Sequence, residues 1–200
     1  MSGIYLHIPF CKQACHYCDF HFSTNLNRQQ EVVDALIKEL SLRKEEFSDV
    51  QVESIYFGGG TPSLLTPNQV QSVIDHIYKN FQIAKDPEIT LEANPDDLDA
   101  KKIKDLSMLG INRLSIGVQS FFESDLELMN RSHNVQHSIE CLDQARNVFD
   151  NISIDLIYGI PGRSLRDWRS NIVTIARWDL PHISSYALTV EPKTALAHQI

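Results

Sequence analysis

YLHIPFCKQACHYCDF, residues 5–20, is the stretch around which the rest of the chain is organised. It contains Cys11, Cys15 and Cys18 at C-x3-C-x2-C spacing, surrounded by aromatic side chains. A loop this short lets three thiolates converge on one object, and iron–sulfur clusters are held by cysteine thiolates. A four-iron cluster normally takes four thiolates, so three would leave one iron open to another ligand. A zinc site and a chance grouping are the alternatives, but zinc favours four ligands and the sequence has no second cysteine pair.

The same stretch resembles the radical S-adenosylmethionine (SAM) superfamily, whose signature is C-x3-C-x2-C. In that superfamily the open iron binds the amino and carboxylate groups of SAM, and the reduced cluster splits SAM to release a 5′-deoxyadenosyl radical. The residues of Tyr5–Cys11 narrow the resemblance to the oxygen-independent coproporphyrinogen III oxidase branch, which also includes haem chaperones. The resemblance covers essentially all 200 residues and implies two cofactors, a [4Fe-4S] cluster and SAM.

The composition excludes several other classes of protein. Hydrophobic residues make up 42% of the chain and charged residues 22%, as in a globular domain. A net charge of −8 argues against a nucleic-acid surface and against a polybasic membrane patch. No apolar run approaches the roughly 20 residues of a membrane span, and the start does not read as a secretory signal. Free thiolates kept for iron imply a reducing compartment, so we expect a cytoplasmic protein.

Strand and helix patterns alternate six times along the chain, which predicts an α/β fold of parallel strands with outer helices. The predicted strands cover residues 4–8, 54–57, 88–92, 113–118, 152–157 and 184–189. Six such units can make an incomplete (βα)6 TIM-type barrel, the shape that the family resemblance implies. A flat doubly wound sheet is the alternative. Residues 1–200 are expected to form one domain, the radical SAM core of a longer protein, without the C-terminal region of longer family members.

The helices are predicted from apolar spacing and from their end signals. A helix over about 27–47 has apolar residues at helical spacing. Thr66 and Gln69 form a capping box, Ser164 and Asp167 begin another helix, and Gly110 ends a third. Two helical pieces are expected over 124–129 and 135–149.

Unusual residues fall at or near the carboxyl ends of the predicted strands, where barrels of this kind gather their sites. Strand by strand, they are the three cysteines, the Gly58–Gly60 run, Glu92, Gln119, Asp155 and Ala187. Glycine lets a backbone approach a ligand closely, although a plain strand-to-helix turn would also use it. We therefore expect a bulky residue at Gly59 or Gly60 to block a cofactor and leave the cluster intact. Glu92 suits a ribose diol because a carboxylate accepts two hydrogen bonds, and a capping or ion-paired carboxylate is its alternative.

The resemblance assigns a set of residues to SAM, and we carry these assignments over as expectations. They are Tyr5, Tyr17, Gly59, Gly60, Thr61, Glu92, Gln119, Arg131, Asp155 and Ala187. Arg131 has a simple alternative, since an arginine in a loop is usually solvated. Phe10, Phe20 and Phe22 are expected to shield the cluster, and Cys141 reads as a small buried hydrophobe within a helix.

Phe20 separates the two close relatives within the branch. The porphyrinogen oxidases extend the motif to C-x3-C-x2-C-x-C, and Phe20 stands where that fourth cysteine would be. The haem chaperones carry residues like Asp19-Phe20 at this point. We therefore favour a haem chaperone, which would bind haem and transfer it to a partner protein.

Two other functions stay open. One is SAM-dependent oxidative decarboxylation of a porphyrinogen, and the other is a cluster-bearing scaffold without SAM chemistry. The expected partners are SAM, haem or a porphyrin, with a haem-accepting protein and an electron donor as further possibilities.

Overall fold

The six predicted strands are present and lie side by side in chain order, and every pairing is parallel. The computed structural model describes residues 2–200, so only Met1 of the predicted domain lies outside it. The strands are β1 (Ser2–Ile8), β2 (Val52–Gly59), β3 (Ile83–Ala93), β4 (Arg113–Gln119), β5 (Asn151–Tyr158) and β6 (His182–Ala187). A doubly wound sheet would reverse its strand order at a switch point, and this sheet does not. The parallel α/β prediction is confirmed, and β1 and β6 are the two edges of an open, barrel-like sheet.

The connections between the strands are helical. In residues 2–200 the α-helices are α1 (Gln29–Arg43), α2 (Pro67–Asn80), α3 (Ala100–Met108), α4 (Glu123–Leu128), α5 (Val135–Arg146), α6 (Leu165–Ile175) and α7 (Ala195–Gln199). The segment predicted as one helix over 27–47 is α1 with a 3-10 turn at each end. The capping boxes of α2 and α6 form as predicted. Gly110, at φ +88°, ends α3 because few other residues adopt that conformation.

Alternation along the strands places the core on one face of the sheet. On β1, Ile4, Leu6 and Ile8 are buried, whereas Tyr5 and His7 between them are exposed. The same alternation recurs on β2, where Ile55 and Phe57 are fully buried. The helices cover the apolar face, and the opposite face carries polar and aromatic side chains. The candidate site lies at the carboxyl-terminal edge of that second face.

Among residues 2–200, no helix combines the length and the hydrophobicity that crossing a bilayer requires.

Candidate functional site

The cysteine loop follows β1 and is held in place by hydrogen bonds of the protein's own backbone. Cys11 donates its backbone N–H to the carbonyl of Ser23 at 3.1 Å, and Ser23 donates to the carbonyl of Pro9 at 2.8 Å. On the other side, His16 donates its backbone N–H to the carbonyl of Met129, which follows α4. The loop is thus closed on itself and tied to the barrel, with its three cysteines free and half-buried.

A cavity of about 430 Å³ opens between this loop and the carboxyl ends of the strands. All three loop cysteines line it, together with nine of the ten residues expected to contact SAM: Tyr17, Gly59, Gly60, Thr61, Glu92, Gln119, Arg131, Asp155 and Ala187. Residues from every strand end therefore meet at one place, as the sequence pattern predicts.

Tyr5 is the expected site residue that does not line this cavity. Its side chain is 58% exposed on the polar face of the sheet, where its ring stacks on that of Tyr56 at a centroid distance of 5.9 Å. Its hydroxyl lies 3.4 Å from Nδ1 of His7. Tyr5 therefore lies outside the cavity, on the face of the sheet that carries the candidate site, and its contact with SAM stays a prediction.

Arg131 is not a solvated surface residue. Its Nη1 lies 3.3 Å from Sγ of Cys15 and 3.2 Å from the hydroxyl of Tyr17, and its Nη2 donates to Asn94 Oδ1 at 2.6 Å and to the carbonyl of Gly117 at 3.0 Å. Burial raises the pKa of the Tyr17 hydroxyl to about 12, against the opposing effect of the Arg131 charge. The guanidinium thus joins the cysteine loop to β4 and to the residue that follows β3.

Glu92 is held by the strand beside it. Its Oε1 accepts a hydrogen bond from the hydroxyl of Tyr56 at 2.7 Å, and its Oε2 accepts one from the backbone N–H of Gly59 at 3.1 Å. These partners belong to the neighbouring strand β2, so Glu92 is neither a helix cap nor half of an ion pair. Burial raises the pKa of Glu92 despite those hydrogen bonds. Burial and then the charge of Glu92 raise the pKa of Asp155 to about 6.

The glycine run lets the loop after β2 lie directly against the cysteine loop. A Cβ on Gly60 would lie 2.7 Å from the Phe10 carbonyl oxygen and 3.0 Å from Sγ of Cys11. Gly59 has φ +115°, a conformation that other residues rarely adopt. A turn alone would not require this closeness. The expectation that a bulky residue at Gly60 spares the cluster is therefore revised, because the residue would first displace the first cysteine of the motif.

The thiols fit an iron–sulfur cluster in chemistry and in placement. Burial raises the pKa of Cys11, and the hydroxyl of Thr61, 3.5 Å from its Sγ, acts in the opposite direction. Among residues 2–200, no three His, Cys, Asp or Glu side chains converge closely enough to hold one metal ion. A cluster needs no such point, since each thiolate binds its own iron. Cys141 is 1% exposed within α5, which confirms that it is a buried hydrophobe.

The aromatic side chains near the cysteines differ in their surroundings. Phe10, just before the first cysteine, is buried in the hydrophobic core and does not line the cavity. Phe20 and Phe22 line the cavity, but Phe20 is 71% exposed and lies at its rim. Phe20 therefore leaves part of the cysteine loop open to solvent, so the expected apolar shield is incomplete.

Asn94 is a site residue that the sequence analysis missed. Its Nδ2 donates to Oγ1 of Thr61 at 3.3 Å, while its Oδ1 accepts from Arg131. It therefore connects the glycine-rich loop to the guanidinium that contacts Cys15. Its place just beyond the carboxyl end of β3 was an available signal, the same kind of position that singled out Glu92.

Comparisons with known proteins agree with this geometry. Residues 5–172 match the family model of the radical SAM superfamily. The chain is 39% identical over 197 residues to a protein named heme chaperone HemW from Bacillus subtilis (strain 168), covering 97% of this chain and 52% of that protein. It is 36% identical over 195 residues to heme chaperone HemW from Escherichia coli (strain K12), covering 96% of this chain and 52% of that protein.

Among solved structures, coproporphyrinogen III oxidase (HemN) from Escherichia coli, described as a radical SAM enzyme, superposes with a TM-score of 0.89. The two sequences are 30% identical, and the match covers 98% of this chain and 46% of that one. The chain thus spans about half the length of the curated relatives it matches.

Proposed function

Because the chain belongs to the radical SAM superfamily, we propose that Cys11, Cys15 and Cys18 hold a [4Fe-4S] cluster and that SAM occupies the adjoining cavity. The family implies both cofactors, and the resemblance drawn from the cysteine motif is confirmed. The observation that carries the residue assignments is the convergence of three free thiols and six strand ends on one cavity. When reduced and bound, the cluster supplies the electron that cleaves SAM.

The chain's own residues have distinct parts in this proposal. Gly59 and Gly60 give the methionine end of SAM a backbone that no side chain obstructs, and the hydroxyl of Thr61 beside them is directed to Cys11 and Asn94. Glu92 is oriented by Tyr56 and Gly59, and each of its oxygens keeps a lone pair with which to accept from a hydroxyl. Gln119, 8% exposed at the end of β4, adds an amide to the same cavity.

We infer that the whole protein handles haem, binding it and passing it to a partner protein. Two observations support this function. Phe20, not cysteine, follows Cys18 by two residues and lies at the rim of the cavity. Two similar proteins, from Bacillus subtilis and Escherichia coli, are named heme chaperones.

The test is anaerobic incubation of the reconstituted whole protein with dithionite, SAM and coproporphyrinogen III, followed by separation of the porphyrins. In parallel, haem is titrated into the same protein and its binding is followed by absorption. We expect stoichiometric haem binding and no decarboxylated product. Steady accumulation of the divinyl product would establish the oxidase instead.

The oxidase is the second candidate because the fold superposes closely on HemN. A scaffold without SAM chemistry is the third. It would be favoured if the protein held its cluster but neither bound SAM nor formed 5′-deoxyadenosine.

A further inference from the structure

Lys12, the residue directly after Cys11, places its ammonium group between two carboxylates. Its Nζ lies 2.7 Å from Oδ2 of Asp96 and 3.3 Å from the Asp96 carbonyl oxygen, and it also pairs with Oδ1 of Asp97. The side chains of Asp97 and Asp96 are only 2% and 11% exposed, whereas that of Lys12 is 37% exposed. Two buried carboxylates in the connection between β3 and α3 thus share one ammonium from the cysteine loop.

The carboxylates are fixed from the barrel side as well. Ser132, which follows Arg131, donates to Oδ1 of Asp96 at 3.0 Å. Ser63, which follows the glycine-rich loop, donates to Oδ2 of Asp97 at 2.8 Å. Lys12 is therefore the link by which the cysteine loop joins a hydrogen-bonded network that reaches the cavity at Lys12 and Ser132.

The charge balance of this network matters for a cluster. Lys102 is a second cation here, but its ammonium group bonds to the carbonyl of Ser63 instead of pairing with either carboxylate. A cluster held by three thiolates gains negative charge when it is reduced, and the net charge around a cluster is one determinant of its potential. Carboxylates left without their ammonium would oppose the arriving electron, and their charge would be weakly screened because they are buried.

We propose that Lys12 is a positioning residue with two effects, fastening the first cysteine of the motif to the barrel and neutralising Asp96 and Asp97 so that the cluster can be reduced. This inference rests on the proposed function in one respect, since it requires the cluster to be bound. It does not depend on whether the protein handles haem or oxidises a porphyrinogen.

The test compares Lys12→Met, which keeps most of the side-chain length and removes the charge, with Lys12→Arg, which keeps the charge. Lys104→Met is the matched control, because Lys104 is exposed on α3 and pairs with no carboxylate in residues 2–200. Each reconstituted protein is titrated anaerobically without SAM, its reduced cluster is followed by electron paramagnetic resonance, and loss of cluster absorbance to an iron chelator is timed. We expect Lys12→Met to have a lower midpoint potential and a several-fold shorter cluster lifetime, with Lys12→Arg and Lys104→Met close to the parent protein.

A second substitution separates charge from mere loosening of the loop. Asp97→Asn should raise the midpoint potential of the parent protein, and in the Lys12→Met background it should return the potential toward the parent value. If Lys12 only held the loop in place, Asp97→Asn would change neither potential. If Lys12→Met takes up no cluster, the Asp97→Asn single variant tests the proposal in its place. An unchanged cluster midpoint potential in Asp97→Asn then overturns the proposal. An unchanged potential in a cluster-bearing Lys12→Met protein also overturns it. Failure of the parent protein itself to take up a cluster would instead refute the proposed function.

Discussion

At the scale of single residues, the four cysteines show how placement decides what a thiol can do. Three are half-buried at one cavity, and Cys141 is enclosed in α5, where burial raises its pKa to about 12. We expect Cys11→Ala, Cys15→Ala and Cys18→Ala each to abolish the four-iron cluster, because every thiolate binds its own iron. Cys141→Ala is the control and should keep the cluster. Iron content and visible absorption after anaerobic reconstitution measure this, and a normal cluster in Cys15→Ala would contradict the assignment.

Glu92 allows a second prediction, about affinity for SAM. Glu92→Ala removes a carboxylate that faces the cavity and should weaken SAM binding by about 1.5–3 kcal/mol, the usual range for a hydrogen bond to a charged group. That corresponds to roughly a tenfold to hundredfold rise in Kd, measurable by calorimetry on the cluster-bearing protein. Glu88→Ala, on the same strand but exposed, is the control and should bind SAM normally. Equal affinities in the two variants would place SAM elsewhere.

The raised pKa of Asp155 predicts that the stability of the folded protein depends on pH. This pKa rises from 3.8 to about 6 on folding, chiefly because burial disfavours the charged form. Between those values the folded protein holds a proton that the unfolded chain has released, so this contribution is fully present below 3.8 and is lost as the pH rises through 6.

The matching variant is Asp155→Asn, which cannot ionise. Going from pH 4.5 to pH 7.5, it should gain stability relative to the parent protein by about 1–3 kcal/mol. Urea unfolding of the cofactor-free proteins at the two pH values measures the difference. An identical difference in free energy of unfolding at both values would show that Asp155 titrates normally.

At the scale of elements, the glycine-rich loop and the cysteine loop act as a packed pair. Gly60→Ala places a methyl group 2.7 Å from the Phe10 carbonyl oxygen, so it should reduce cluster uptake as well as SAM binding. Gly162→Ala is a stringent control, since its φ of +79° already strains any side chain there but nothing lies within 4 Å of its added Cβ. Iron content after reconstitution is the measurement. Full cluster uptake by Gly60→Ala would show that the loop moves aside without cost.

Most of the sheet could be predicted from the sequence because each strand alternates or runs apolar between clear turn signals. Thr66 and Ser164 marked helix starts because their caps are local interactions. Helix α7 was missed, since it is only five residues long and its backbone contact, from Leu196 N–H to the carbonyl of His16, joins residues 180 positions apart. Such a contact has no local pattern.

The candidate site divides in the same way. The cysteines could be proposed from their spacing, and Gly59 from its place in a glycine run after a strand and from the family resemblance. Arg131 and Asn94 were undervalued or missed because their roles come from partners on other elements, including Cys15 and Thr61. Lys12 reads as a solvated surface charge until the fold brings Asp96 and Asp97 beside it. Long-range pairing of polar side chains is the part that sequence reasoning cannot reach.

At the scale of the whole molecule, every residue assigned to the cluster and to SAM lies within these 200 residues, although the curated relatives are about twice as long. The cysteine loop is already closed on itself after β1, and backbone hydrogen bonds tie it to the turn after α4 and to α7. We therefore expect this chain by itself to take up a [4Fe-4S] cluster and, with dithionite, to convert SAM to 5′-deoxyadenosine. Anaerobic reconstitution followed by chromatography of the nucleosides measures both, and Cys15→Ala serves as the control for cluster-independent breakdown of SAM. If the whole protein forms 5′-deoxyadenosine and this chain takes up a cluster without forming it, residues outside this chain complete the SAM site. No cluster uptake by this chain would mean that the folded loop alone is insufficient.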